Sequence, residues 1–245
     1  MLENIDFSKS VDFLKGEIIV IDKPLTWTSF NVVNKVRNII CRKLQLKKMK
    51  VGHAGTLDPL ATGVLVLASG KYTKLIEQIQ AGEKVYDAVV CLGATTPSYD
   101  LETKIDQIFE YQHITLEMIN EAVDKLRGVI MQSPPKYSAL KIEGKHAYDL
   151  ARKGKEVILE KREIILSDII IQKIELPYIH LQISCSKGTY IRSVAHDIGL
   201  NLNNGAYLYS LRRIKVGDFS VENAFTLEEF EKKLISAEII SDTHH

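Results

Sequence analysis

Apolar positions in the first fifth of the chain predict a strand followed by a helix. Residues 17–22 are almost continuously apolar and are followed by Pro24, which predicts a buried strand that ends there. Valines and isoleucines between residues 32 and 40 recur at helical spacing. Thr28 or Ser29 can cap the helix that they predict, because a hydroxyl accepts hydrogen bonds from exposed backbone amides.

The rest of the chain mixes strand-like and helix-like patterns without strict alternation. Tyr86 falls on the same face of a predicted 84–92 strand as three apolar residues. Residues 115–126 carry a helical apolar stripe and precede Gly128, which can take the left-handed conformation of a helix end. Further predicted elements are strands at residues 63–68, 164–174, 180–186 and 206–216, and helices at residues 191–200 and 227–235. This order predicts an α+β fold with a mixed, mostly antiparallel sheet flanked by helices.

The composition is that of a globular protein. Of the 245 residues, 45% are hydrophobic and 26% are charged, which is ordinary for a folded domain. Cys41, Cys91 and Cys185 lie far apart without the spacing of zinc ligands, which argues against a disulfide framework and a structural metal. Neither a signal peptide nor an apolar stretch long enough for a membrane helix is present. We therefore expect a cytoplasmic protein with no metal and no membrane segment.

The net charge of +1 conceals an uneven distribution of charge along the chain. Residues 42–50 hold five basic residues and no acid, and residues 127–155 hold seven basic residues against two acids. Residues 218–245 hold seven acids against two lysines. Such clusters usually lie on the solvated surface, but both basic stretches could also face phosphate groups. Residues 131–157 show little periodicity and are predicted to be a long, basic and mobile excursion.

The segment Gly52–Gly63 reads Gly-His-Ala-Gly-Thr-Leu-Asp-Pro-Leu-Ala-Thr-Gly and forms a loop ahead of a predicted strand. Residues 63–71 superficially suggest a phosphate loop, but six residues separate the two glycines and Tyr72 follows the lysine. That spacing argues against nucleotide hydrolysis. Asp58 before Pro59 would, by itself, more often be a turn than a catalytic residue.

Several motifs together resemble the TruB family of tRNA pseudouridine synthases. The resemblance covers Gly16 to about Thr226, in family order, with Gly52–Gly63 at its centre. Its other motifs are Asp22-Lys23-Pro24, Thr28-Ser29, Lys84-Val85-Tyr86, Leu92-Gly93, Ser133 to Lys141, Cys185 to Arg192, and Leu211-Arg212-Arg213. The resemblance implies a pseudouridine-synthase-like catalytic domain over residues 1–226, with a thumb insertion at about 131–157 that closes over the T loop of tRNA.

The implied reaction isomerises uridine 55 of the T loop, replacing the N1–C1′ bond with a C5–C1′ bond. The resemblance makes Asp58 the catalytic carboxylate. It could attack C1′, stabilise the positive charge that develops there, or remove a sugar proton, and the sequence leaves these alternatives open. A position before proline favours an extended backbone, which would project the carboxylate. No cofactor is implied.

Two further residues match positions in contact with the reacting base or with the carboxylate. Tyr86 matches the tyrosine that stacks on the flipped base, and Arg192 matches the arginine that pairs with Asp58. Core packing is the structural alternative for Tyr86, and a surface position is the alternative for Arg192.

Four more matches are expected to bind the substrate. Tyr190 and Leu211 match residues that line the pocket, with core packing as the alternative. His53 matches a residue that contacts the distorted T loop, although a structural loop histidine is also plausible. Lys74 is a weaker candidate for phosphate binding.

The sequence departs from the family pattern in three places. Thr26 stands where relatives usually have glycine, so a turn with positive φ would be strained there. Pro97 interrupts a segment that is more polar in the family, although Asp100 is retained. Residues 227–245 can form only a short acidic tail or helix rather than a full PUA-like module. We therefore expect binding to be restricted largely to the T arm, by a monomer.

Two other classes of function remain as alternatives. One is a catalytically silent RNA-binding or RNA-folding protein, which leaves the joint match of Asp58, Tyr86 and Arg192 unexplained. The other is a glycosidase-like hydrolase, which lacks a convincing second carboxylate motif.

Overall fold

The computed structural model describes residues 2–138, 140–142, 145–147 and 159–240. Its helices are α1 (Ser29–Lys43), α2 (Ile76–Ala81), α3 (Leu116–Asp124), α4 (Ile191–Asn201) and α5 (Leu227–Ser236), with short 3₁₀ helices at Gly70–Leu75 and Val221–Asn223. Its strands are β1 (Ile18–Lys23), β2 (Val51–His53), β3 (Ala61–Ser69), β4 (Lys84–Leu92), β5 (Ala94–Thr95), β6 (Gln107–Ile108), β7 (Gly128–Gln132), β8 (Lys141–Ile142), β9 (Lys145–His146), β10 (Arg162–Glu175), β11 (Tyr178–Cys185), β12 (Ala206–Val216) and β13 (Phe219–Ser220).

The chain divides into two compact units. Unit 1 comprises residues 1–85 and 212–245, and unit 2 comprises residues 86–211. In unit 1, β3 pairs antiparallel with both β1 and β2, and the end of β12 pairs antiparallel with β13. In unit 2, β10 pairs antiparallel with both β11 and β7. The predicted mixed, mostly antiparallel sheet with flanking helices is confirmed.

Helix α1 begins where the sequence predicts. The Thr28 hydroxyl accepts a hydrogen bond from the Asn31 amide at 3.0 Å, which caps the helix. The predicted valines and isoleucines are buried and pack in one cluster with β1, β3 and the apolar face of α5. Burial of this face fixes α1 beside the strands that carry the glycine-rich loop.

The predicted elements agree with the structure except around residue 128 and in the predicted 52–63 loop, whose two ends belong to β2 and β3. Strand β4 has the predicted bounds, with Tyr86 on its buried face. Helix α3 ends at Asp124, and Gly128, with φ of 86°, is the first residue of β7 instead of the end of the helix. Residues 131 and 132 belong to β7 because they pair with β10. The remainder of the predicted excursion is described only at 133–138, 140–142 and 145–147, and its other residues lie outside the described part of the chain.

The strain expected at Thr26 is confirmed, since its φ is 68°. Within the described ranges, every helix is too short or too polar to cross a lipid bilayer.

Candidate active site

Asp58 lies in unit 1 on the loop between β2 and β3, and its side chain is half-buried. The residue before it is fixed to α1 by one hydroxyl. The Leu57 amide donates to Ser29 Oγ at 2.8 Å, and Ser29 Oγ donates to the Leu57 carbonyl at 3.1 Å. The Asp58 carbonyl accepts from the Ala61 amide at 3.0 Å. The backbone that carries the carboxylate is therefore held from both directions.

The residue after Asp58 is fixed in a similar way. The Pro59 carbonyl accepts from the Thr26 amide at 2.8 Å and lies 3.4 Å from the Lys23 ammonium. Lys23 is fully buried and also donates to the Trp27 carbonyl at 2.6 Å. A buried donor that joins two segments limits their relative movement.

Lys23 also shapes the electrostatics around Asp58. Burial lowers the pKa of Lys23 to about 8, although the charge of Asp58 opposes that shift and the charge of Arg213 reinforces it. Near neutral pH the ammonium is therefore mostly protonated. It places a positive charge at the base of the loop.

Arg213, at the end of β12, closes the two ends of the same loop. Its buried guanidinium donates from Nη2 to the Gly55 carbonyl at 3.0 Å and from Nε to the Val64 carbonyl at 2.8 Å. Gly63 passes so close to the Arg213 backbone that a Cβ there would lie 2.1 Å from its carbonyl oxygen, and its φ is 101°. Glycine is required at this position for both reasons.

The other two candidates of unit 1 differ in exposure. His53, the last residue of β2, is half-buried. Burial lowers its pKa, and the nearby Arg213 charge adds to the effect, so the imidazole is neutral at physiological pH. Lys74 is exposed on the 3₁₀ helix Gly70–Leu75. The five basic residues between positions 42 and 50 are also exposed.

Unit 2 contains the remaining candidates. Tyr86 is 8% exposed and shares its face of β4 with Ala88, Val90 and Leu92. Leu211 is half-buried on β12. Tyr190 is half-buried at the start of α4, where both its backbone groups bond the side-chain amide of buried Gln132, at 2.8 Å and 3.1 Å.

Arg192 is buried on the first turn of α4, so the surface alternative is wrong. Its Nε lies 3.7 Å from a carboxylate oxygen of Asp100, and its Nη1 donates to the Tyr137 carbonyl at 2.9 Å and the Ser98 carbonyl at 3.3 Å. Buried Asp100 and Arg192 thus form an ion pair, in which each charge offsets the cost of burying the other.

Comparison with known proteins identifies the family. A family model described as TruB family pseudouridylate synthase (N terminal domain) matches residues 42–191, more than half of the chain. The chain belongs to the TruB family. A second model, described as tRNA pseudouridylate synthase B C-terminal domain, matches residues 192–243. TruB membership makes the chain an isomerase of the pseudouridine synthase type.

TruB relatives match the chain over almost its whole length. It is 52% identical over 229 residues to tRNA pseudouridine synthase B of Phocaeicola vulgatus, covering 94% of this chain and 97% of the relative. It is 48% identical over 236 residues to tRNA pseudouridine synthase B of Bacteroides thetaiotaomicron, covering 95% and 98%.

Solved structures share the fold. A Cbf5-Nop10-Gar1 complex matches with a TM-score of 0.66 at 29% identity, covering 90% of this chain and 54% of that chain. An H/ACA RNP bound to a substrate RNA containing 2′-deoxyuridine matches with a TM-score of 0.64 at 27% identity, covering 90% and 53%. This TruB chain thus spans about half the length of the two solved chains.

The sequence did not predict which residues support the site. Ser29, Lys23 and Arg213 occur within the family motifs, but only the fold shows that they hold the backbone around Asp58. Gln132 lies outside those motifs, and its bonds to Tyr190 have no signal in the sequence. Within unit 1 the structure brings Lys23 and Arg213 to the Asp58 loop, and within unit 2 it places Tyr190 and Arg192 together at the start of α4.

Proposed function

We propose that this chain isomerises uridine 55 in the T loop of tRNA to pseudouridine, with Asp58 as the catalytic carboxylate. The observation that carries the proposal is the support of Asp58, since buried Ser29, Lys23 and Arg213 hold the backbone before, after and at both ends of its loop. Support of this kind positions a reactive group to within fractions of an ångström. The relatives named tRNA pseudouridine synthase B favour tRNA as the substrate.

The reaction can be carried by one carboxylate without a cofactor. The N1–C1′ bond breaks, the base turns within the pocket, and the C5–C1′ bond forms. The hydrogen on C5 leaves as a proton and N1 takes up a proton, so the product has the same composition as uridine. Asp58 either attacks C1′ or removes a sugar proton in the first step. In both cases it reacts as the carboxylate, and the ammonium of Lys23 lies at the base of the same loop.

Residues of unit 2 would bind the flipped base. A base stacked in RNA is out of reach, so it must be flipped out and held against an aromatic or apolar wall. Tyr86 would stack on the uracil, with Tyr190 and Leu211 lining the pocket. Arg192 would also bind the substrate, from the position in which its contact with Asp100 holds it.

Exposed cations would bind the RNA backbone. Lys74 and the basic residues of segment 42–50 are exposed on unit 1, where they are available to phosphates. The thumb insertion, at about 131–157, would close over the T loop, and His53 would contact that loop. Recognition would be mainly of the T arm, by a cytoplasmic monomer.

The deciding experiment incubates the protein with a T-arm transcript labelled at uridine C5. We expect release of the C5 hydrogen together with pseudouridine at position 55 only, and loss of both by about a thousandfold or more in Asp58→Asn. Lys74→Ala is the matched control, for which only weaker binding at higher salt is expected.

Each other outcome rejects a specific part of the proposal. RNA binding without product would indicate a silent RNA-binding protein, and free uracil would indicate a hydrolase. Product retained by Asp58→Asn would remove Asp58 from its role, and product at another uridine would overturn the choice of position 55.

A further inference from the structure

Unit 2 contains a cleft that is given no role above as a whole, although Lys136 and Tyr137 in its walls belong to the proposed thumb insertion. Its volume is about 780 Å³, and its walls include the aromatic rings of Tyr99, Phe109, Tyr137 and His196. Flat apolar surfaces with a few polar groups at their edges are typical of sites that bind planar heterocycles.

Two of these rings form a ready-made stacking surface. The rings of Tyr99 and His196 lie parallel, with centroids 3.9 Å apart and an interplanar angle of 8°. Burial lowers the pKa of His196 and raises the pKa of Tyr99. Both rings are therefore neutral at physiological pH, and they form an uncharged aromatic surface.

The backbone holds Tyr99 in an unusual conformation. Its φ is 63°, in the left-handed region that tyrosine rarely adopts. The Tyr99 amide donates to the Thr96 carbonyl at 3.1 Å, and the Tyr99 carbonyl accepts from the Leu208 amide at 2.9 Å. Strained conformations persist where surrounding bonds enforce them, and they are concentrated at ligand sites. Here the two backbone bonds hold Tyr99 in the conformation that places its ring against His196.

Polar groups at the edge of the cleft suit a nucleotide. Lys136 is exposed and offers a cation for a phosphate, and Asn203 offers an exposed amide. The carboxylate of Asp106 accepts from the Thr95 hydroxyl at 2.6 Å, and carboxylates also accept from the exocyclic amino groups of bases. These groups combine a flat surface for a base, a cation for its phosphate and acceptors for its edge.

We infer that this cleft binds a second unpaired base of the RNA substrate, stacked on the Tyr99–His196 pair, with Lys136 beside its phosphate. The inference rests on the proposed function, because an RNA loop supplies unpaired bases besides the one that reacts. Stacking on aromatic side chains is the usual way in which proteins hold such bases. The Asp106 carboxylate favours a base with an amino group over uracil.

A double-mutant cycle between protein and RNA tests this inference. All proteins carry Asp58→Asn so that RNA binds without turnover, and each loop base in turn is replaced by an abasic nucleotide. With Tyr99 present, we expect one abasic position other than the target uridine to weaken binding by about five- to tenfold. Tyr99→Leu should weaken binding of the intact RNA by the same factor. In the Tyr99→Leu protein, that abasic position should then have no further effect on binding.

Controls separate stacking from damage to the fold. Tyr99→Phe keeps a ring and should bind as the parent does, whereas Tyr178→Leu removes a tyrosine outside the cleft and should leave every abasic effect unchanged. His196→Leu repeats the cycle if Tyr99→Leu does not fold. The inference would be overturned if the losses of RNA affinity caused by Tyr99→Leu and His196→Leu simply added to the loss caused by each abasic position. Failure of the unmodified enzyme to form pseudouridine would instead reject the proposed function.

Discussion

Two aspartates, Asp58 in unit 1 and Asp100 in unit 2, are held in opposite ways. Around Asp58, which is half-buried, the supporting hydrogen bonds go to the backbone of neighbouring Leu57 and Pro59. Asp100 is 5% exposed, and its own carboxylate accepts from the Glu102 amide at 3.0 Å and faces Arg192.

The difference suggests how one residue type serves two purposes. Under the proposed function the Asp58 carboxylate must meet a substrate, and its position is fixed through the backbone on either side. A carboxylate intended for structure can use its oxygens within the protein, where they compensate a buried cation. Four measurements test this contrast.

The largest effect on stability is expected at Asp100. Asp100→Asn removes the charge that faces buried Arg192 and should lower the free energy of unfolding by about 3 kcal/mol. Asp58→Asn should change it by less than about 1 kcal/mol while abolishing activity. Urea denaturation of both variants makes the comparison, and similar losses of stability would contradict it.

Neighbouring arginines test how the Asp58 loop is held. Arg213→Met removes the donors to the Gly55 and Val64 carbonyls and should cost about 2 kcal/mol of stability, with a fall in activity as the loop loosens. Arg212→Met is the matched control, because Arg212 pairs with a partly exposed Asp22 and should cost less than about 1 kcal/mol. Equal costs would show that burial of the cation is unimportant.

A third carboxylate, Asp197, should respond to pH. Burial raises the pKa of Asp197 from 3.8 to about 6, opposed by the charge of Lys161. The folded state therefore binds a proton more tightly than the unfolded state, so the contribution of this group to stability is lost as pH rises from about 4 to about 6. We expect stability to fall by about 1.5 kcal/mol across that window relative to Asp197→Asn. Parallel pH profiles of unfolding for the two proteins would contradict the shift.

The smallest effect is expected at Thr26, whose amide supports Pro59 from a left-handed conformation. Thr26→Gly should raise stability by about 1 kcal/mol, since glycine adopts positive φ without strain. The stability of Thr26→Ala should lie between those of the parent and the glycine variant, because alanine lacks the β-branch but keeps Cβ. Thermal unfolding of the three proteins ranks them, and a destabilised glycine variant would show that the threonine side chain has a role of its own.

Local patterns predicted the longer helices and strands, whereas most of the short strands have no local signal. The apolar stripe of α1, the Thr28 cap and the alternation in β4 depend only on residues close in sequence, and the structure reproduces them. The end of α3 was placed wrongly, because pairing between β7 and β10 takes Gly128 into a strand, and that partner lies more than thirty residues away.

Motifs of contiguous residues were enough to indicate the family, the class of reaction and Asp58 as the residue to test. The folded chain was needed to show that Lys23, Ser29 and Arg213 fix the loop of Asp58, that Asp100 faces Arg192, and that Tyr99 stacks on His196. These contacts join residues that are 28 to 158 positions apart. A pattern in one sequence records which side chains are present, whereas burial and distance are set when the strands and helices pack.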